Sequence, residues 1–137
     1  MDFRFWALLS AVFAGFVAIL SKKGVEDVPT SLALSIRVFF ILIIALGMAA
    51  FGREFDFEKI DQRAWWLLGG SAVATGASWF CYFKALQGGP VSQVAPIDKL
   101  SFVIAVALGA LVLGEQITWK LGIGIVLIVA GVLVTLS

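Results

Sequence analysis

The sequence predicts an all-α, multi-pass membrane helical bundle with five transmembrane helices. Of its 137 residues, 61% are hydrophobic and only 14% are charged, whereas a soluble domain carries about a quarter charged residues. The mean hydropathy is +1.06. A water-soluble chain of this length cannot bury so much apolar surface. The charged residues also avoid five stretches of about 20 residues each, which is the length that spans a bilayer core.

Polar connections separate the five predicted helices. The helices are predicted at about residues 3–20, 31–51, 64–86, 91–113 and 119–136. Lys22 and Lys23 are predicted to lie in a hydrophilic turn that Pro29 closes. The longest connection, 52–63, carries seven charged residues: Arg53, Glu54, Asp56, Glu58, Lys59, Asp61 and Arg63. A cleaved signal peptide is the alternative for the first segment, but its long apolar run favours a membrane span.

Local signals mark the ends of the later helices. Trp65 and Trp66 open the third segment, at the depth where indole rings prefer to lie. Residues 87–90, with the sequence Gln-Gly-Gly-Pro, predict a tight break between the third and fourth segments. Thr118 is predicted to be the N-cap of the fifth helix.

The composition argues against several classes of function. The chain has no histidine, and Cys81 is its single cysteine, so an intramolecular disulfide and a cysteine-based zinc site are excluded. A net charge of +1 offers no basic face for nucleic acid. A lone carboxylate at membrane depth provides no acid/base pair. We therefore expect no enzyme activity, no catalytic residues, no cofactor, no metal and no nucleic-acid partner.

Four ionisable residues interrupt the apolar segments near one face of the predicted membrane. An ionisable side chain in a lipid-spanning helix is costly and usually has a function. Arg37 and Asp98 each lie about 9 to 10 Å into their helices, and Lys84 and Lys99 lie at comparable heights. Asp98 and Lys99 point about 100° apart on a helix. We therefore expect Asp98 to pair with Arg37 or Lys84 rather than with Lys99.

These four residues predict a polar site within the membrane. Three positive charges against one negative charge favour a carboxylate or phosphate ligand, and hence an anionic or zwitterionic substrate; a proton-responsive Asp98 is the alternative. A structural ion pair is the rival explanation for Arg37 and Asp98. Lys84 and Lys99 could instead anchor helix ends by extending to the interface.

Pro96 bears on the same site. Inside a helix, Pro96 removes one backbone hydrogen bond and frees the carbonyl near Ser92, and exposed backbone at membrane depth usually lines a cavity. If the fourth helix instead begins at Pro96, the proline is an ordinary first helical residue without functional meaning.

The topology prediction is balanced between two models. With five crossings, one side of the membrane holds five positive charges and the other holds four: Arg4, Arg53, Lys59, Arg63 and Lys120 against Lys22, Lys23, Lys84 and Lys99. So small a bias permits insertion in both orientations and an antiparallel homodimer. It also permits one orientation with the N-terminus in the cytoplasm. Gly124 and Gly131 are candidates for close packing against a second copy.

Motifs in the fourth and fifth segments resemble a known family. The run 89–101, with the sequence Gly-Pro-Val-Ser-Gln-Val-Ala-Pro-Ile-Asp-Lys-Leu-Ser, the Leu-Gly-Glu turn at 113–115 and the glycine-rich last helix resemble the second half of an EamA domain of the drug/metabolite transporter superfamily. The resemblance covers 1–137 as one five-helix domain, which is half of the usual ten-helix transporter. The chain resembles the short members of the family that carry a single copy of this domain. Arg37 and the segment from Pro96 to Ser101 resemble the polar positions that recur in those members, so Asp98, Lys99 and Ser101 are candidate site residues.

The resemblance implies a permease of the cell inner membrane. It implies export of metabolites or toxic small molecules, and it favours a homodimer, because one copy is half of the usual transporter. The leading hypothesis is a carrier in the lipid bilayer that works by alternating access around a site near Arg37 and Asp98. A non-transporting membrane scaffold or accessory subunit, whose buried charges only fix helix packing, is the alternative. Small multidrug resistance proteins have a similar fold but use a glutamate in helix one, and this first helix has no carboxylate. Glu115 is expected to cap a helix or anchor it at the interface.

Overall fold

The computed structural model describes residues 2–52 and 60–136. These residues form six α-helices: α1 (Phe3–Val25), α2 (Thr30–Gly52), α3 (Gln62–Gly88), α4 (Val91–Asp98), α5 (Leu100–Leu113) and α6 (Trp119–Leu136). The predicted all-α class is therefore confirmed. Most of the predicted charged connection, including the Arg53 and Lys59 of the topology argument, lies outside the described residues.

Four segments of the described chain are long and apolar enough to cross a membrane. They are α1, α2, the stretch Val91–Leu113 and α6. Large apolar side chains on these helices are exposed, with Phe51 at 95% and Leu111 at 83%. Apolar surface on this scale requires lipid around it. α3 has 27 residues, about 40 Å at 1.5 Å per residue, but its many small and polar residues make it less apolar than the other four.

The chain forms two compact units, and the first consists of Leu20–Gln87. In this unit α1 continues past the predicted turn to Val25, so the expectation for Lys22 and Lys23 was wrong. Both lysines lie in the last turn of α1, where positive charge is favourable at the negative end of the helix dipole. Lys22 Nζ also donates a hydrogen bond of 2.7 Å to the Leu86 carbonyl and lies 3.9 Å from Glu26 Oε1.

Gln87 fastens the α1–α2 connection to the end of α3. Its side-chain amide Nε2 donates hydrogen bonds of 2.8 Å to the carbonyls of both Val25 and Val28. Its Oε1 accepts a 2.7 Å bond from Thr30 Oγ1. Gln87 and Gly88 therefore belong to α3, and the break predicted at 87–90 is confined to the two residues at 89–90.

The second unit consists of Met1–Ile19 and Gly88–Ser137. In it α6 packs against α4 and α5, with Val94 and Val132 buried. Gly114 ends α5 in the left-handed conformation, with φ 71°. The Glu115 N–H donates a hydrogen bond of 3.2 Å to the Gly109 carbonyl. Glu115 therefore caps α5 through its backbone. Thr118 Oγ1 accepts 3.3 Å from the Leu121 N–H, which confirms the predicted N-cap of α6.

The predicted fourth helix is divided at Lys99. Pro96 lies inside α4, which begins at Val91, so the alternative in which the helix begins at Pro96 is wrong. The Lys99 N–H donates a hydrogen bond of 3.0 Å to the Pro96 carbonyl, and the Phe102 N–H donates one of 3.0 Å to the Lys99 carbonyl. These three-residue spacings form a tighter turn than the α-helix. Pro96 has no N–H to donate toward Ser92, which weakens the helix just before this turn.

Candidate functional site

Arg37 lies against two aromatic rings in the Leu20–Gln87 unit. Its guanidinium carbon is 4.3 Å from the centroid of the Trp79 ring and 5.4 Å from that of Phe83. Trp79 and Phe83 are four residues apart on α3, so they lie on the same helix face. Both distances fall within the range of about 6 Å in which a cation is attracted to a ring face. The structure therefore holds the cation of α2 on an aromatic surface of α3.

This arrangement leaves the Arg37 guanidinium suited to an anionic ligand. The guanidinium is planar and carries five N–H donors in its own plane. Two ring contacts cannot occupy all five donors, so some of them remain available to a ligand. Among the described residues of this unit, no carboxylate lies within ion-pair distance of Arg37, and the residue is half-buried. Such a group can bind a carboxylate or a phosphate through two parallel hydrogen bonds.

Lys84, the second predicted cation of this unit, is exposed on α3 next to Phe83. Its position fits both of the interpretations made from the sequence, a site residue and an interface anchor. Arg37 and Lys84 lie in the same unit.

Asp98 and Lys99 lie in the other unit, at the junction of α4 and α5. Lys99 Nζ is 3.5 Å from Asp98 Oδ2, so the expectation that these two residues do not pair was wrong. The four-carbon stem of lysine is long enough to bridge the angle between neighbouring helical positions. The pair is open to its surroundings, with side-chain exposures of 60% for Lys99 and 38% for Asp98. Ser101 is exposed in the first turn of α5.

The predicted pairing of Asp98 with Arg37 or Lys84 joins residues of the two different units, and it stays a prediction. Within one unit, Arg37 lies against Trp79 and Phe83. Within the other unit, Asp98 pairs with Lys99. The aromatic partners were not foreseen in the sequence. Their four-residue spacing on the third segment was the available signal.

A groove of about 550 Å³ opens between α4–α5 and α6. We call it the α4–α6 groove; its lining residues are Pro96, Lys99, Phe102, Ile128, Gly131, Val132 and Thr135. Pro96 and Lys99, both predicted as site residues, therefore line the same concave surface. This groove was not predicted, because it depends on how α6 packs against α4 and α5.

The described residues contain no cluster of three or more histidine, cysteine or acidic side chains that could hold a metal ion. Cys81 is a free, exposed thiol on α3. Its surface position on an apolar helix differs from the buried position usual for cysteine.

The helices and their intramembrane charges define a multi-pass membrane protein. The model of the EamA-like transporter family matches residues 4–137, and the chain belongs to this family. This confirms the resemblance found in the sequence and places the protein among membrane transporters. The match covers the six described helices except for Phe3, the first residue of α1.

Two curated relatives are similar to the chain over most of their lengths. An "Uncharacterized transporter in cobO 3'region" from Sinorhizobium sp. is 43% identical over 133 residues, which cover 96% of this chain and 94% of the relative. A "Probable 4-amino-4-deoxy-L-arabinose-phosphoundecaprenol flippase subunit ArnE" from Enterobacter sp. (strain 638) is 24% identical over 98 residues, which cover 72% of this chain and 92% of the relative. No solved structure matches the chain.

Proposed function

We propose that this protein is a small-molecule or metabolite exporter of the cell inner membrane that works by alternating access. Membership of the EamA-like transporter family supports transport as the activity. The proposal includes a single domain over 1–137 in which α3 also crosses the bilayer, giving five crossings. A 27-residue helix is long enough for that, and its indoles Trp65 and Trp66 suit the interface.

The observation that carries the proposed site is the position of Arg37 on Trp79 and Phe83. A charged side chain in a membrane-spanning helix is expensive, and here it lies on aromatic rings, with no ion pair to a carboxylate among the described residues of its unit. Its N–H donors suit the carboxylate or phosphate of an anionic or zwitterionic substrate. We place Asp98, Lys99, Lys84, Pro96 and Ser101 in the same pathway, with Arg37 as the principal anion contact.

We propose that two copies enclose the pathway. The chain corresponds to half of a ten-helix transporter, and transporter sites commonly lie at the interface of two related halves. The relative that is named as a flippase subunit supports the idea that a unit of this size works with a second subunit. A homodimer, parallel or antiparallel, meets that need.

A ligand panel tests the proposed site. The full-length protein in detergent would be heated with carboxylates, phosphate monoesters, zwitterionic amino acids and cationic amines, because a ligand that binds the folded state raises its apparent stability. We expect anionic or zwitterionic compounds to raise the unfolding midpoint. We expect Arg37→Gln to abolish the shift and Arg37→Lys to keep part of it, since lysine retains the charge without the planar fork.

Lys23→Gln is the matched control, because Lys23 is an exposed cation of the same unit at the end of α1. It should retain the full ligand shift. Stabilisation by cationic amines alone, or an undiminished shift in Arg37→Gln, would show that Arg37 does not bind the ligand.

A further inference from the structure

The α4–α6 groove has the shape and polarity of a lipid site. Its volume of about 550 Å³ lies within the range of about 300 to 1,000 Å³ that is usual for small-molecule sites. Apolar surface dominates its lining, with Phe102 on one wall and Ile128 and Val132 on the other. Thr135 adds little polarity, because its hydroxyl donates a hydrogen bond of 2.7 Å to the Val132 carbonyl.

The groove extends along α6 from Thr135 to Ile128. Because α6 returns antiparallel to α5, Thr135 near its C-terminus lies toward the end of the unit where α4 begins. Ile128 lies seven residues earlier, about 10 Å deeper along the helix. A molecule that fills the groove therefore needs an apolar portion about 10 Å long with one end near the headgroups.

Lys99 supplies the single cation of the groove. Side chains on a helix tilt toward its N-terminus, so Lys99 leans from its depth toward the nearby membrane face. Its side chain is 60% exposed, and the carboxylate of Asp98 contacts it at 3.5 Å. An ammonium group has three donors, so a second acceptor can bind beside Asp98. The groove thus combines an apolar channel with a positive charge at its outer end.

We propose that the α4–α6 groove binds one anionic phospholipid of the surrounding bilayer. An acyl chain lies along Phe102, Ile128 and Gly131, and the lipid phosphate contacts the Lys99 ammonium. The charge complementarity selects an anionic headgroup over a zwitterionic one, and the open apolar channel selects a lipid over a soluble anion. This site lies in the unit that does not contain Arg37. It shares Pro96 and Lys99 with the proposed pathway, but its test measures retained lipid and not transport.

Native mass spectrometry tests the proposal with lipids of defined composition. The full-length protein would be released from bilayers that contain equal amounts of phosphatidylglycerol and phosphatidylcholine, and retained lipid and subunit number would be read from the same spectra. We expect one phosphatidylglycerol per chain to be retained. Lys99→Gln should lower its preference over phosphatidylcholine about fivefold to tenfold, because the Lys99 charge attracts the net negative headgroup, whereas the choline cation of phosphatidylcholine already balances its phosphate.

Two glycines of α6 provide a matched pair of blocking variants. A Cβ at Gly131 or at Gly124 would meet no atom within 4 Å, but only Gly131 lines the groove. Gly131→Leu should fill the groove and remove the retained lipid, whereas Gly124→Leu should keep it. Asp98→Asn, which removes the carboxylate beside Lys99, should increase retention of phosphatidylglycerol.

Three results would overturn the proposal. The first is equal retention of the two lipids by the unmodified protein. The second is equal retention by the Gly131→Leu and Gly124→Leu variants. The third is loss of a dimer in Gly131→Leu with unchanged lipid, which would show that a second copy of the chain occupies the groove. If the blocking variant does not fold, the opposite shifts expected for Lys99→Gln and Asp98→Asn still decide the question.

Discussion

Removing the contact between Arg37 and Trp79 should destabilise the protein by about 1 kcal/mol. A cation–π contact contributes about 0.5 to 1 kcal/mol when exposed and about 2 kcal/mol when desolvated. Arg37 is half-buried, and its guanidinium carbon lies 4.3 Å from the Trp79 ring centre against 5.4 Å for Phe83. The nearer and more electron-rich indole should therefore provide most of the attraction.

A double-mutant cycle isolates this contribution from the loss of apolar packing. Arg37→Met removes the cation and keeps an unbranched stem, and Trp79→Leu removes the ring and keeps an apolar side chain. Unfolding free energies in SDS, measured for both single variants and the double variant, should give a coupling of about 1 kcal/mol, or about a fivefold change in the unfolding equilibrium.

The neighbouring exposed ring of Phe80 supplies the control cycle. Arg37→Met combined with Phe80→Leu should be additive within about 0.5 kcal/mol, as expected for groups that share no contact. A coupling near zero for Trp79, or equal couplings for Trp79 and Phe80, would refute the aromatic surface as the support of Arg37.

Three further variants, two of them paired with a control variant, test the local structure through unfolding free energies. Gln87→Leu should cost about 2 kcal/mol, because two carbonyls of the α1–α2 connection lose their donor. Gln93→Leu, on the exposed surface of α4, should cost little. Equal losses would contradict the role of Gln87 in holding the α1–α2 connection to α3. Gly114→Ala should cost about 1 kcal/mol, since φ is 71° there. Gly109→Ala should be nearly neutral, because its Cβ would meet only the flexible Glu115 carboxylate, at 2.9 Å. A larger loss for Gly109→Ala than for Gly114→Ala would contradict the role of Gly114 in ending α5. Thr118→Ala should cost about 1 kcal/mol as a lost N-cap, and no change would refute that role.

The sequence predicted the parts of the fold that depend on local chemistry. The start of α6 follows from the Thr118 hydroxyl, which caps the helix three residues ahead of Leu121. The all-α membrane class follows from apolar segments that are long enough to span a bilayer. The end of α1 was misplaced because Lys22 and Lys23 look hydrophilic in isolation, although the Leu86 carbonyl that accepts the Lys22 hydrogen bond is 64 residues away.

The site was predicted only in part for the same physical reason. The cost of a charge in lipid singles out Arg37 and Asp98 from composition alone. The partners of a charge depend on helix packing and on side-chain flexibility, and neither is visible in spacing. Arg37 has aromatic neighbours that were not predicted, and Asp98 pairs with Lys99, its neighbour in the chain. The pairing of Asp98 with Arg37 or Lys84 stays a prediction.

Transport by purified protein in lipid vesicles tests the central claim most directly. The compound that stabilises the unmodified protein most in the ligand panel would be loaded in labelled form, and its initial rate of movement would be measured for the parent chain and for Arg37→Gln, Asp98→Asn and Lys23→Gln. We expect saturable movement that falls at least about tenfold in the first two variants, equivalent to about 1.4 kcal/mol, and is unchanged in Lys23→Gln. Parent rates in folded Arg37→Gln and Asp98→Asn proteins would contradict it.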